Sequence, residues 1–396
     1  MELHIQKALN EKTWEEFVSY LEKMEIKHHI EVSQKTGKSY LHMDYDIFAS
    51  KTEPIVKECR GIVFLKDGDK YSLVRLGFMR FMNWGESGQD QINAKETAIF
   101  EEKVDGSIIF LNNMEDEDWT VGTRGRVFAD QKISGRDISF EEMFWQIFGS
   151  TEELEDHILY LFELCGPENR IVVPYSRQAV LIGARDKRTW RELQHEELDL
   201  IANKLGVKRP DVETFSSIEE SLESAKNLPG YKEGYVVKQW SEEEGRYKRA
   251  KIKGTTYLDL HRIVSCKSLN NLVRLVIRGD RESISFFPEY LDSFDKIRAV
   301  LEDYVERGQA FCKEAMKILE EDGDPKEVRK KFALSVVKTE FQQLSFLLAD
   351  GKITSPWEWL ESGLSNKKTK MLIEKFNIAD IVDSSWEIVE NEEEDV

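Results

Sequence analysis

Lys103 stands in the stretch Glu101-Glu102-Lys103-Val104-Asp105-Gly106-Ser107, just ahead of the strand-like run Ile108-Ile109-Phe110-Leu111. Lysine is a nucleophile once it sheds its proton, and a glycine beside it lets a phosphate or nucleotide approach the backbone. Alone, such a string arises by chance, and most lysines are solvated. Its meaning comes from other charged residues set in apolar text. Arg60 precedes Gly61-Ile62-Val63-Phe64, Glu163 lies within Tyr160-Leu161-Phe162-Glu163-Leu164, and Glu233 opens Glu233-Gly234-Tyr235-Val236-Val237. Lys251 and Lys253 alternate with apolar residues in Ala250-Lys251-Ile252-Lys253-Gly254. That spacing puts both ammonium groups on one face of a strand, which is then open solvent or a polar cleft. Singly, a strand glutamate is usually an edge or a paired charge, and a Lys-x-Lys pair a solvated face. Four such clusters in this order are a different matter.

The elements that must position them read as α+β. Trp14, Phe17, Val18, Leu21 and Met24 have helical spacing behind a Thr13 N-cap. Short strand-like pieces follow at 29–32 and 39–42. From 60 to 253 the text is β-rich, with runs at 62–65, 108–111, 120–122, 159–164, 179–182, 235–239 and 249–252. Helical inserts are expected near 140–157 and 190–205, among antiparallel sheets. Past about 257 the character changes. Phe294, Ile297, Leu301 and Tyr304 repeat at helical spacing. Asp324-Pro325-x-Glu327 and Ser355-Pro356-x-Glu358 each supply an N-cap, a proline at the first helical position and an acid two residues on. The expected division is residues 1–257 as an α+β domain and 258–396 as an all-helical C-terminal domain.

With 396 residues the chain is too long for one ordinary core, and 40% apolar residues suffice to fill two. No run of about 18 apolar residues occurs, so no membrane partner is expected. The first residues lack a secretory pattern, so a cytoplasmic protein is the default. The four cysteines are widely spaced, which argues for reduced thiols and against structural zinc. A net charge of −19 argues against a protein that coats nucleic acid unspecifically, while leaving room for a local basic channel. The acidic tail at 390–396 reads as a frayed end.

The motifs ECRGIVF (58–64), EKVDGS (102–107), LFELCGPENRIVVPY (161–175), EGYVVK (233–238) and KIKGTTYLDLH (251–261) together resemble the covalent nucleotidyltransferases. Within these the set is most similar to the ATP-dependent RNA ligases of the phage T4 RNA ligase 1 type. FMRFMNWGE (78–86) resembles that group's Lys-Phe-Phe-Asn element, with Arg80 where the family has lysine. The resemblance covers about residues 50–261.

The resemblance implies that Lys103 attacks the α-phosphate of ATP, forms lysyl-AMP and releases pyrophosphate. AMP then passes to a 5′-phosphate on RNA, and a 3′-hydroxyl seals the ends. It implies that Glu163 contacts the ribose and that Glu233 organises a divalent metal, Mg2+ or Mn2+. It implies that Arg60 binds a phosphate or RNA end and that Lys251 and Lys253 grip phosphates. Arg80, Asn83 and Tyr257 fall on further nucleotide-binding positions, Asp105 on an orienting one, and Gly106 on one that permits close packing. Arg124 and Arg170 sit on turns of candidate contact, with Trp84 read chiefly as a packed side chain. Neighbouring cations and burial are expected to depress the Lys103 pKa. The implied partner is RNA with 5′-phosphate and 3′-hydroxyl ends, such as a cleaved tRNA, in RNA repair. A phage-encoded protein of this type would work in the host cytoplasm, with a monomer favoured. The helical domain, with Arg329-Lys330-Lys331 and Lys367-Lys368-x-Lys370, is expected to confer substrate specificity. The competing expectations are a DNA ligase or capping guanylyltransferase, disfavoured because no OB-fold is evident after the Lys-x-Lys motif, and a non-catalytic ATP- or RNA-binding relative.

Overall fold

A computed structural model describes residues 3–93, 98–114 and 117–388, so the acidic tail lies outside the described residues. The chain divides into two compact units, Met1–Tyr257 and Leu258–Val396.

Among the described residues, twelve strands belong to the first unit: β1 (Ile26–Val32), β2 (Ser39–Tyr45), β3 (Arg60–Asp67), β4 (Lys70–Arg75), β5 (Ile99–Glu102), β6 (Ser107–Asn113), β7 (Trp119–Thr123), β8 (Ile158–Cys165), β9 (Gln178–Asp186), β10 (Val212–Glu213), β11 (Gly234–Ser241) and β12 (Arg246–Lys253). They form three antiparallel sheets, ordered β1-β2-β3-β4, β10-β5-β11-β12 and β7-β6-β8-β9.

Each sheet buries one face under helices. Helices His4–Glu11 and Trp14–Lys23 cover the first sheet, with Phe17 and Leu21 packed among Leu41, Met43, Ile62 and Phe64. Thr13 starts the second of these helices with a capping box, accepting from the Glu16 N–H while Glu16 accepts from Thr13. Helix Ile218–Lys226 covers the β5-β11-β12 sheet, where Phe100, Tyr235, Val237, Ala250 and Ile252 form the core. Helices Phe140–Phe148 and His195–Leu205 cover the third sheet over Ile158, Tyr160, Phe162 and Leu164.

The period-two alternation of a strand fixes what lies opposite these cores. On β12 the core takes Ala250 and Ile252, so Arg249, Lys251 and Lys253 face the other way. On β8 the helix-covered core takes Ile158, Tyr160, Phe162 and Leu164, so Glu163 shares its face with Leu159 and Leu161, which pack with Phe78 and Phe110.

Two strands run through text that gave little strand signal. β5 has the sequence IFEE, half of it acidic, and is set by pairing with β11 and β10 rather than by its own propensity. β4 is the return strand of a hairpin whose Asp67↔Lys70 pair closes the turn.

The second unit is helical. Its longest helix, Leu291–Met316, buries Phe294, Ile297, Leu301 and Tyr304. Asp324 caps Pro325–Val336 and Ser355 caps Pro356–Glu361, both with proline in the first turn. Among the described residues no helix is long and apolar enough to cross a membrane.

Candidate active site

Lys103 follows the end of β5 and extends its pairing, its N–H donating to the Gly234 carbonyl at 2.8 Å. This places the side chain beside Glu233, the residue just before β11. The ammonium donates to Glu233 Oε2 at 2.6 Å, and Lys253 Nζ lies 3.7 Å from Glu233 Oε1. Gly234 makes the junction possible: its φ of +142° favours glycine, and a Cβ there would run into the Ile252 carbonyl oxygen.

The loop after Lys103 is tied down by Asp105, which is buried. Its Oδ2 accepts from the N–H groups of Val172 and Val173, both at 2.9 Å, and its Oδ1 accepts from the Tyr257 hydroxyl at 2.9 Å. Asn169 adds a second tie, donating to Ser107 Oγ at 3.0 Å and to the Leu164 carbonyl at 2.7 Å. Gly106 lies so close to β8 that a Cβ would sit 2.5 Å from the Leu164 carbonyl oxygen.

These elements wall a cleft of about 480 Å³ lined by Lys103, Glu163, Arg60, Lys251, Lys253 and Arg124, among others. Apolar walls come from Phe78, Phe81, Ile108, Ile182, Pro210 and Val236. Phe81 lies under two of the cations, 5.5 Å from the Arg60 guanidinium and 5.3 Å from Lys251 Nζ. It is held there because residues 82–84 are stitched to β12: the Lys251 N–H donates to the Met82 carbonyl at 2.9 Å, and the Trp84 N–H donates to the Lys251 carbonyl at 2.8 Å.

The electrostatics are uneven. Burial, then the nearby Lys103, Arg60 and Lys253 charges, bring Lys251 down to about 7. Burial also lowers Lys253 and Arg60. Arg60 lines the cleft and has a buried Nη1 with no protein hydrogen-bond partner. Burial lifts the Glu163 carboxyl to about 7 against the pull of Lys103. Lys103 departs from the expectation. Burial pushes its pKa down, but the carboxylates Glu233 and Glu163 and the Glu233 hydrogen bond outweigh it, so the ammonium is held above its ordinary value. The cations that were expected to depress it act most on Lys251.

Four of the expected ligand-binding residues, Arg80, Asn83, Tyr257 and Glu233, are not among the side chains lining this cleft, Glu233 being buried against Lys103 and Lys253. Arg80 is buried, donating to the Ala49 carbonyl at 2.8 Å with its guanidinium 4.1 Å from the Tyr45 ring centre. Asn83 sits in the stitch along β12, with its Oδ1 buried and unpartnered. Tyr257 acts on Asp105, and burial followed by the Glu233 and Asp105 charges raises its hydroxyl. Trp84 packs against the β5-β11-β12 core. Arg124 does line the cleft, its Nε donating to Asp44 at 3.0 Å. Arg170 turns back to the Val172 carbonyl at 3.0 Å.

Sequence reasoning passed over Phe81, Ser107, Arg249 and Glu101, all of which line the cleft. Two of these had a readable signal. Extending the Lys251/Lys253 alternation back one step reaches Arg249, which grips Glu192 at 2.6 Å. Stepping back two residues from Lys103 reaches Glu101, which is buried against Lys238 at 2.5 Å and Arg209 at 2.8 Å. Burial would raise the Glu101 carboxyl, but those partners bring it down to about 2.

Among the described residues no group of three or more His, Cys, Asp or Glu side chains is arranged to hold a metal. Glu163 and Glu233 flanking Lys103 suit instead a hard cation that keeps its water and takes further oxygens from substrate phosphates.

The family model described as RNA ligase matches residues 58–257. The RNA ligase of Rhodothermus phage RM378 is 26% identical over 80% of this chain and 84% of its own length. A candidate bifunctional polynucleotide kinase/RNA ligase of Autographa californica nuclear polyhedrosis virus is 27% identical over 72% of this chain. This chain spans only 42% of that viral protein's length. Among solved structures, an archaeal ATP-dependent RNA ligase aligns over 88% of this chain and 82% of its own, with 14% identity and a TM-score of 0.46. The family match runs over half the chain and contains Arg60, Lys103, Glu163, Glu233, Lys251 and Lys253, and the chain therefore belongs to the RNA ligase family of the T4 RNA ligase 1 type.

Proposed function

We propose that this chain is an ATP-dependent RNA ligase that joins 5′-phosphate and 3′-hydroxyl ends. The observation that carries the reading is one amine, Lys103 Nζ, in a cleft with five further cationic side chains and with Glu163, 2.6 Å from the Glu233 carboxylate.

In the first step Lys103 Nζ attacks the α-phosphorus of ATP. A P–N bond forms, the bond from the α-phosphorus to the bridging oxygen breaks, and pyrophosphate leaves with the electron pair. Glu233 Oε2 already accepts a hydrogen bond from this ammonium and is the nearest acceptor for its proton. In the second step an oxygen of the RNA 5′-phosphate attacks the AMP phosphorus and the P–N bond breaks. In the third the 3′-hydroxyl attacks the activated 5′-phosphate and AMP departs. Arg60, Lys251 and Lys253 stabilise the charge on the phosphates at each displacement. Glu163 and Glu233, with substrate phosphate oxygens, would hold a magnesium or manganese ion, which would supply further charge neutralisation.

The helical unit is assigned the reading of RNA beyond the reacting ends, on the strength of the family resemblance. Its basic clusters offer less charge than their text implies: Arg329 pairs with Asp350, Lys331 with Glu321, and Lys368 donates to the Trp359 and Ser362 carbonyls.

Intact-mass measurement after exposure to ATP and magnesium tests the first step. The expected result is a gain of one AMP, absent in Lys103→Ala and discharged by 5′-phosphorylated RNA. A gain from GTP instead, or discharge by DNA ends alone, overturns the assignment.

A further inference from the structure

Arg80, which stands apart from the cleft lining, leads to a second surface. It donates to the carbonyls of Ala49 at 2.8 Å and Ser50 at 3.4 Å, and so holds the loop that follows β2. The same loop is tied again by Lys51, whose ammonium lies 2.5 Å from Glu86, and by a close approach of Gly88 to the Lys51 carbonyl that leaves no room for a Cβ. Asp46 closes the turn inside it, accepting from the Phe48 N–H at 3.1 Å.

At the tip of this fastened loop stand Ile47 and Phe48, 69% and 74% exposed, and among the described residues no other large apolar side chain is as exposed as Phe48. A single exposed apolar side chain needs no explanation. Two in succession, on a loop fixed by a buried arginine, form a preorganised platform. The loop is linked to the cleft wall through Tyr45. Tyr45 lies under both the Arg80 guanidinium, at 4.1 Å, and that of Arg124, at 4.3 Å, and Arg124 lines the cleft. Phe48 is three residues from Tyr45, a chain reach of no more than about 11 Å. An aromatic side chain on the loop that follows Tyr45, whose ring lies against cleft-lining Arg124, matches unpaired RNA, whose bases stack on aromatic rings while cations take its phosphates.

We propose that Phe48, supported by Ile47, is a stacking platform for an unpaired base of the RNA whose end enters the cleft, with Arg80 the positioning residue that fixes the loop. This deepens the RNA-ligase reading and rests on it. The test measures two things on the full chain: binding of a fluorescent 5′-phosphorylated single-stranded oligoribonucleotide by anisotropy, and AMP gain by intact mass. Phe48→Ala is expected to weaken RNA binding about tenfold, to leave AMP gain from ATP intact, and to be rescued by Phe48→Trp. Unchanged RNA binding in Phe48→Ala overturns the proposal. So does a dimer in gel filtration that Phe48→Ala dissociates, because the patch would then belong to a second copy. If the wild-type chain gains no AMP while Phe48→Ala still weakens RNA binding, the ligase reading fails and the platform stands.

Discussion

Under the proposed mechanism Lys103 begins the reaction as an ammonium ion, because two carboxylates outweigh burial at its Nζ. Its free-amine fraction therefore grows about tenfold for each pH unit below its pKa. The single-turnover rate of AMP gain is expected to climb through pH 6 to 9 under saturating ATP. A rate that is flat over this window would sink the account. Glu163 carries the opposite burden. Its folded pKa, about 7, lies above that of the unfolded chain, so the folded state binds the proton more tightly. Stability is then lost as pH rises through the window between the ordinary carboxylate value and about 7, by at most about 1.4 kcal/mol per pH unit. Glu163→Gln removes this loss, so melting curves are expected to show it gaining on wild type between pH 5 and pH 8. The residue types behind both effects were readable from the text; the sign of the Lys103 shift was not, because it depends on which charges lie within a few ångströms.

At the scale of elements, the site depends on how the loop after β5 is fastened to its neighbours. Asp105 joins three groups, the N–H donors of Val172 and Val173 and the Tyr257 hydroxyl. Asp105→Ala leaves two buried N–H groups without their acceptor, a cost of about 1–3 kcal/mol for each group. The expected outcome is a lowered melting temperature with AMP gain slowed well beyond what unfolding explains. Gly234→Ala is expected to cost at least as much, since it strains the backbone at φ +142° and collides with β12 where β11 pairs with it. Denaturant titration checks it. Most strands and the capped helices were legible, because alternation and caps are local signals. β5 was not: its acidic sequence forms a strand only when β11 and β10 supply the partners.

At the scale of the molecule, a chain of net charge −19 carries a cleft rich in cations. Only the few RNA phosphates that enter this cleft exchange counterions with it. For two or three such contacts the logarithm of RNA affinity is expected to fall with the logarithm of salt at a slope of about 1.4–2.1 in magnitude. A slope several times steeper would mean that RNA lies along a far larger basic surface than the cleft provides. The ion pairs of Arg329 with Asp350 and of Lys331 with Glu321 favour the shallow slope.

The sequence by itself marked the residues able to do chemistry, one amine, two carboxylates and several cations, because these residue types stand out against the apolar text around them. It also determined that a helical region follows a β-rich one, since hydrophobic period and capping are properties of neighbouring residues. Only the tertiary structure decided which of the marked residues meet. Arg80 and Tyr257 looked like ligand-binding residues in the text, yet their side chains reach a loop carbonyl and Asp105 instead. Phe81 looked like an ordinary loop residue, and Arg249 and Glu101 were marked only by their spacing from the lysines, yet all three line the cleft. The reason is physical: a side chain's partner is set by sheet order and strand register, which join residues more than a hundred positions apart.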